Sequence, residues 1–334
     1  ALDYYQQAII QLDYTFNEAN VYINPINFMG DFTSYDLFEA LLAKANCFAA
    51  IFHQHPVNDA FKGAADTYDA AFKLADYIEK SIDNDEARRF VADKIFAGYT
   101  TAIDFVMQSY ARQKNDSLID LTLKWISKSR AASLAVSLKE NTIKRFAGLP
   151  DSLLQKEKNI KINISRLKLQ LQQTPDSTGQ KDLLSETGSL ELQLNRLINR
   201  YRQYPAYYQQ KFASDSFSVS ALEKSIPDNQ TAVICYFRGK NDMLSFIIKQ
   251  NEIIYTPLSS DTALFAMLEN FSSALKRMNA GSENNINNAA KFICSALVSP
   301  LTKELDNIES LIIIPDRDLI NIPFEALRMD DNRY

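Results

Sequence analysis

The stretch that decides the fold is Leu311-Ile-Ile-Ile-Pro-Asp-Arg-Asp-Leu-Ile-Asn-Ile-Pro-Phe-Glu-Ala-Leu327. Its first four residues are all apolar, which is typical of a strand buried on both faces of a parallel sheet. Pro315 ends this run and begins a turn. From Asn321 to Leu327 we expect a further step from strand to helix. The sequence therefore predicts a sheet near the C-terminal end of the chain.

Three more strands are predicted before this stretch, in a part of the chain rich in β-branched and aromatic residues. They cover 231–237, 243–249 and 253–256, and the turn Arg238-Gly-Lys-Asn-Asp242 separates the first two. Such close spacing predicts an antiparallel meander. Helices are predicted at 219–226, 261–278 and 286–306.

Residues 1–150 have the features of long helices, because good helix formers are common and the whole chain has only 8 glycines. Ser34 and Asn58 are suitable N-caps. The predicted helices cover 35–52, 58–82, a long segment that ends at about 113, and 116–140. The breaks between them fall at Pro56, Asp83-Asn-Asp85 and Asn115-Asp116, and the region ends at Gly148 and Pro150.

A Tyr-x-x-Ala pattern followed by a bulky apolar residue occurs three times in this region. The instances are Tyr5/Ala8/Ile9, Tyr68/Ala71/Phe72 and Tyr99/Ala102/Ile103, at offsets of 63 and 31 residues. These offsets are close to two units and one unit of a repeat of about 34 residues. A small alanine allows a neighbouring helix to approach, and the bulky residues fill the groove beside it. The pattern resembles degenerate tetratricopeptide repeats (TPR); the alternative is a plain helical bundle with accidental spacing.

Residues 151–213 are predicted to form an antiparallel coiled-coil helical hairpin. The apolar positions are Ile160, Ile164, Leu167 and Leu171 in one arm and Leu190, Leu194, Leu197, Tyr201, Tyr204 and Tyr208 in the other. We expect Thr174–Gln180 to connect the arms and Pro205 to kink or end the second one. The hairpin is interpreted as a structural linker, or alternatively as a lever or docking arm.

Composition excludes several classes of function. A net charge of −5 gives no basic surface for nucleic acid, and no apolar run approaches the roughly 18 residues of a membrane span. Cys47, Cys235 and Cys294 are scattered, so we expect buried free thiols in a reducing, cytoplasmic compartment. His53 and His55 are two residues apart and make a poor metal pair. No metal or cofactor site is predicted, and a first residue other than Met leaves open a missing natural N-terminus.

The 311–327 stretch resembles the opening of CHAT domains, a caspase-like peptidase family (C14/separase-like) that is usually joined to TPR repeats, often in bacteria. Members show an apolar strand, Pro-Asp, a short turn and Pro-Phe-Glu-x-Leu. The resemblance covers 217–334 and, more loosely, 1–213. It implies an α+β multidomain protein: a TPR-like superhelix at 1–150, the helical hairpin at 151–213, and the N-terminal part of a CHAT domain at 214–334.

The resemblance implies a Cys–His dyad that follows the Pro-Phe-Glu-x-Leu element. No residue of this chain occupies either position, so no catalytic residue is assigned. We expect Asp316 to shape the turn after Pro315 and Glu325 to cap or pair with a helix start. The alternative is that these two residues and Arg317 frame a pocket in the complete domain.

Two functional readings follow. In the first, a protein or peptide partner binds the helical repeats and controls a caspase-like cysteine peptidase that is completed by the remainder of the CHAT domain. In the second, the protein is a non-catalytic scaffold or adaptor that uses the same surfaces for assembly. The sequence beyond Tyr334 distinguishes them, because only a peptidase needs a histidine and a later cysteine there.

We predict that these 334 residues alone do not hydrolyse peptides, because the dyad positions of the family lie after Leu327. The measurement is hydrolysis of a fluorogenic peptide library by the purified chain. Activity that disappears when Cys47, Cys235 or Cys294 is changed to Ala would overturn this prediction.

Overall fold

The computed structural model describes residues 1–26, 28, 34–81, 85–130, 150–173, 177–201, 203–204, 218–240, 242–258, 262–277 and 283–328. This part of the chain is mostly helical and has one four-stranded mixed sheet towards the C-terminal end, as expected for an α+β protein. Two compact units are present. The first combines 1–102 with 127–216, and the second combines 103–126 with 217–334.

The helices before the sheet follow the predicted breaks closely. They are α1 Leu2–Leu12, α2 Ser34–Gln54, α3 Asn58–Ser81, α4 Asp85–Gln113, α5 at 116–130, α6 Asp151–Gln173 and α7 Ser177–Tyr201. Asn115 caps α5 as predicted, because its Oδ1 accepts a hydrogen bond from the Ser117 backbone N–H at 3.1 Å. The prediction that α5 continues to 140, and the closing role of Gly148, lie outside the described residues.

Two instances of the Tyr-x-x-Ala pattern have buried tyrosine and alanine side chains, whereas Tyr5 and Ala8 of the first instance are half-buried. Tyr68, Ala71 and Phe72 are fully buried, and the Phe72 ring stacks on the Tyr99 ring with centroids 3.8 Å apart. Between α2 and α3 the packing is tight, because a Cβ on Gly63 would lie 2.8 Å from the Phe48 ring. Aromatic rings therefore pack against each other and against a small residue in this core.

A buried glutamine organises the long connection between α1 and α2. The Nε2 atom of Gln6 donates to the backbone oxygens of Glu18, Asn20 and Ile23 at 2.6, 3.1 and 3.2 Å. One side chain of α1 thus satisfies three carbonyl groups of a segment without secondary structure.

A buried lysine binds the same segment from α2. Lys44 has no exposed surface, and its Nζ donates to Gln6 Oε1, to the Ile23 oxygen at 3.3 Å and to Asn24 Oδ1 at 2.8 Å. These acceptors are all uncharged. Burial therefore lowers the pKa of Lys44 to about 8.

The hairpin of α6 and α7 packs through the predicted apolar positions, with Ile160 and Ile164 buried against Leu194 and Leu197. The predicted connector was too long: α7 already begins at Ser177. Ser and Thr favour a helix start as much as a turn, which accounts for the error. Helix α7 ends at Tyr201, before the last predicted apolar positions, but Tyr204 still packs against the same cluster. Pro205 and Tyr208 lie outside the described residues.

The second unit is built on a sheet of order β3-β2-β1-β4. Its strands are β1 Thr231–Arg238, β2 Met243–Lys249, β3 Glu252–Leu258 and β4 Ser310–Ile314. The first three form the predicted antiparallel meander, and β4 pairs in parallel with β1, with Ile313 opposite Ile234.

Helices α8 Val219–Ser225, α9 Thr262–Arg277 and α10 Glu283–Leu297 flank the strands in sequence. Side chains of α9 and α10, including Phe271 and Ile293, form one buried cluster with Ile234 and Tyr236 of β1. The last predicted helix, 286–306, is interrupted after Leu297 and continues as a 3-10 helix at Ser299–Leu305. Pro300 explains the change, since it removes a backbone donor and disturbs the preceding turn.

Two expectations for the 311–327 stretch were wrong. β4 is not buried on both faces, because Leu311 and Ile312 are 44% and 50% exposed. It is an outer strand of the described sheet: β1 pairs with one of its edges, and no described strand pairs with the other. Residues 321–327 contain no strand; they include instead the 3-10 helix Phe324–Ala326.

Within the described residues, no helix has both the length and the apolar character that crossing a membrane requires.

We predict that protonated Lys44 lowers the free energy of unfolding, so that the protein is less stable below pH 8 than at higher pH. The pKa of about 8 in the native state lies below the ordinary value of 10.5. Between these values the unfolded chain holds a proton that the native state has lost, so the free energy of unfolding rises with pH. The rise is roughly 3 kcal/mol, and Lys44→Met should abolish it.

The measurement is urea unfolding at intervals from pH 7 to 10.5, taking the difference between wild type and variant so that other groups cancel. Lys62→Met, at an exposed position of α3, is the matched control and should leave the pH dependence unchanged. Equal pH profiles for the two variants would contradict the role of Lys44.

Candidate functional site

The carboxyl ends of β1 and β4 lie side by side, since the strands are parallel and Cys235 is opposite Ile314. Asp316 follows β4 directly and is only 5% exposed. Its Oδ2 accepts a hydrogen bond from the Arg238 backbone N–H at 2.8 Å. Asp316 thus joins the ends of the two strands, at the edge where open α/β sheets bind ligands.

The residue after Asp316 has a strained backbone. Arg317 has φ of 41°, in the left-handed region that a side chain makes costly. On either side the chain is fixed, because Leu319 is fully buried and its N–H donates to the Asp316 oxygen at 2.9 Å. Such strain costs about 1–3 kcal/mol and is common at binding and catalytic sites. The Arg317 side chain is exposed at this edge.

The second half of the 311–327 stretch returns to the core. The Phe324 ring stacks on Tyr236 with centroids 5.6 Å apart, and Tyr236 donates its hydroxyl to the Leu297 oxygen at 3.0 Å. Glu325 is exposed within the 3-10 helix. Asp316 therefore does more than shape its own turn, because it bonds to β1, whereas Glu325 points to solvent.

A carboxylate of α4 binds the turn between β1 and β2. Both oxygens of Asp104 accept from the Lys240 backbone N–H, at 3.1 and 3.3 Å. The turn is closed by the Gly239 N–H, which donates to the Asp242 oxygen at 2.8 Å. A Cβ on Gly239 would lie 2.8 Å from Asp104 Oδ1 and 3.1 Å from the Asp242 oxygen, so a larger residue here would displace the Asp104 carboxylate.

Burial raises the pKa of Asp104, and the charge of Asp242 adds to the rise, while the Lys240 N–H opposes it. Further along α4, the Tyr110 ring meets the Tyr255 ring of β3 edge to face, with centroids 5.8 Å apart. Burial and the nearby Asp242 raise the pKa of Tyr255 to about 12. Residues 103–113 of α4 belong to the second unit, and Asp104 and Tyr110 among them contact the turn after β1 and the strand β3.

The Arg238 side chain lies over the Phe265 ring of α9, with its guanidinium carbon 3.9 Å from the ring centroid. The backbone of Arg238 is bound by Asp316, and the backbone of Lys240 by Asp104. We call the group formed by Arg238, Asp316, Lys240 and Asp104 the junction. It fixes the ends of β1 and β4 and the β1–β2 turn, and it places the Arg238 guanidinium on an aromatic ring.

The candidate nucleophiles and bases are separated. Cys235 and Cys294 are buried free thiols on β1 and α10, and Cys47 is a half-buried free thiol on α2. His53 and His55 are exposed at the end of α2, in the first unit. The sequence has no other histidine, so the second unit contains no Cys–His pair.

In the described ranges, no three His, Cys, Asp or Glu side chains are grouped so that they could hold a metal ion.

Asp104 was not singled out from the sequence. It lies 136 residues before its partner Lys240. The only local signal was the glycine of the predicted 238–242 turn. A glycine indicates that another group approaches the backbone closely, but it does not indicate which group.

Compared with protein-family models and with curated proteins, the sequence gives no match.

We predict that Gly239→Ala lowers the free energy of unfolding by about 1–3 kcal/mol, because the new methyl group meets Asp104. In an Asp104→Ala background the same change should cost less than half as much, since the obstructing carboxylate is gone. Urea unfolding of the double-mutant cycle measures this coupling. Lys240→Ala is the control and should change stability by under about 0.5 kcal/mol, because the backbone N–H remains. Additive effects of the two substitutions would refute the contact.

Proposed function

We propose that this chain is a TPR-like helical-repeat regulatory module joined to the opening part of a CHAT-type, caspase-like peptidase domain. One observation carries the proposal: the apolar strand β4 pairs in parallel with the first strand of an antiparallel meander. From β4 the chain continues through Pro315 and Asp316 to Phe324, which packs on Tyr236. This arrangement supports an open α/β sheet with its functional edge at the strand ends.

The helical part supports the repeat assignment. Stacked helical hairpins bury a stripe of small and bulky residues between neighbours. Phe72 and Tyr99 come from two instances of the Tyr-x-x-Ala pattern, and their rings stack directly. We propose that a protein or peptide partner binds this region.

In the complete protein the reaction would be peptide hydrolysis by a Cys–His dyad that follows Leu327. The imidazole takes the thiol proton, and the thiolate attacks the peptide carbonyl. The residues of this chain would position the sheet: Asp316 joins the strand ends from which the site is built. Free thiols agree with a reducing, cytoplasmic location.

Regulation would act through α4. This helix contributes residues to both compact units, and its last part carries Asp104 and Tyr110. A partner that shifts α4 would change the contacts with the β1–β2 turn and with Tyr255. Such a device couples binding to activity when the two positions of α4 differ in affinity for the partner.

The test uses the complete gene product and a peptide acyloxymethyl ketone, which alkylates catalytic thiolates. We expect labelling of one cysteine after Leu327, mapped by mass spectrometry. Asp316→Ala should slow labelling by at least about tenfold, because it frees the strand ends. Asp306→Ala, at an exposed position before β4, is the matched control and should leave the rate within about twofold.

Two outcomes would contradict the peptidase proposal. Labelling confined to Cys47, Cys235 or Cys294 would show no dyad in the expected place. Absence of labelling, together with retention of a bound partner protein through purification, would favour the non-catalytic scaffold.

A further inference from the structure

The net negative charge of the chain is confined to its first 43 residues. Residues 1–43 contain no Lys, Arg or His and six acids, which are Asp3, Asp13, Glu18, Asp31, Asp36 and Glu39. The remaining residues, 44–334, carry all 36 basic residues against the other 35 acids, so they are nearly neutral. An asymmetry of this kind indicates a charged partner rather than a feature of the fold.

Exposed apolar side chains are concentrated in the same segment. We define the loop surface as Tyr14, Tyr22, Ile23 and Ile26, which are 72%, 50%, 42% and 74% exposed. They lie on the connection between α1 and α2, where Glu18 is also exposed. Several exposed large apolar residues within one short segment are typical of an interaction site.

The loop surface is fixed from beneath. Gln6 binds the carbonyl groups of Glu18, Asn20 and Ile23, and Lys44 binds Ile23 and Asn24. The Tyr22 ring contacts Phe48 with centroids 5.2 Å apart. A surface ordered before binding loses less entropy when a partner docks. Residues 13–26 of this connection contain neither helix nor strand, and connections of that length are usually functional loops or linkers. Lys44, the first basic residue of the chain, is enclosed and contributes no exposed cation.

We propose that the loop surface docks a basic amphipathic segment of a partner protein. Lysines and arginines of the segment would meet Glu18 and the other exposed acids of residues 1–43, which are Asp3, Asp36 and Glu39. The apolar residues of the segment would pack on Ile23 and Ile26. A cation of the segment would also contact the exposed Tyr14 ring. The inference rests on the proposed function, for which it specifies the chemistry of the partner and where on the helical region it binds.

The probes are two labelled 16-residue peptides, designed with Leu and Lys at helical spacing or with Leu and Glu in the same positions. Binding to the full chain is measured by fluorescence anisotropy. We expect saturable binding of the lysine peptide, weakened at least about tenfold between 50 and 300 mM salt, and none of the glutamate peptide. Tyr14→Ser with Ile26→Ser should reduce the affinity at least about tenfold.

The matched control is Leu184→Ser with Leu192→Ser on α7, where the exposed fractions of 49% and 59% are comparable. It should bind the lysine peptide like the wild type. All four substituted residues are exposed, so folding should be retained, and circular dichroism checks it. Equal binding of the two peptides, equal loss in both double variants, or no saturation would overturn the proposal.

A second copy of the chain is the competing occupant. Sedimentation velocity decides this: a dimer that the loop variant alone dissociates would assign the surface to self-association and refute the proposal. These measurements are independent of the cysteine labelling described above. The peptide can therefore fail to bind while labelling succeeds, and the two proposals fail separately.

Discussion

The parallel pairing of β1 with β4 is the constraint on which the second unit depends. Without it the chain would hold only a three-stranded meander. The pairing brings the segment after β4 next to the end of β1, and Asp316 joins the two with a buried hydrogen bond to Arg238. A buried hydrogen bond from a backbone N–H to a charged carboxylate is stronger than one between two neutral groups. The strained Arg317 is held between this bond and the buried Leu319.

The junction contains a second carboxylate, that of Asp104, which binds the turn between β1 and β2. Asp104 binds the backbone of the β1–β2 turn, two residues from the point where Asp316 binds β1. The turn thus responds to the end of α4 and to the end of β4 alike. Two segments distant in sequence, the end of α4 and the segment after β4, therefore both bind the backbone at or next to this short turn.

In the first unit, polar residues do work that apolar packing usually does. Burying Lys44 and Gln6 costs desolvation free energy. Their hydrogen bonds stabilise the loop between α1 and α2 rather than a denser core. Four large apolar residues of that loop, Tyr14, Tyr22, Ile23 and Ile26, remain exposed. A buried cation with only neutral acceptors also makes this part of the chain sensitive to pH, with stability rising as Lys44 loses its proton.

The sequence by itself determined the helices, the meander and β4, because periodicity, Pro, Gly and cap residues act locally. Helix α5 began where Asn115 indicated, and β2 was predicted residue for residue. Tertiary structure alone decided which residues form the junction and the burial of Lys44, since hydrogen bonds between residues such as Asp104 and Lys240 leave no local pattern. It also decided the exposure of Leu311 and Ile312: an apolar run reports a preference for burial, whereas actual burial depends on which neighbours the strand has.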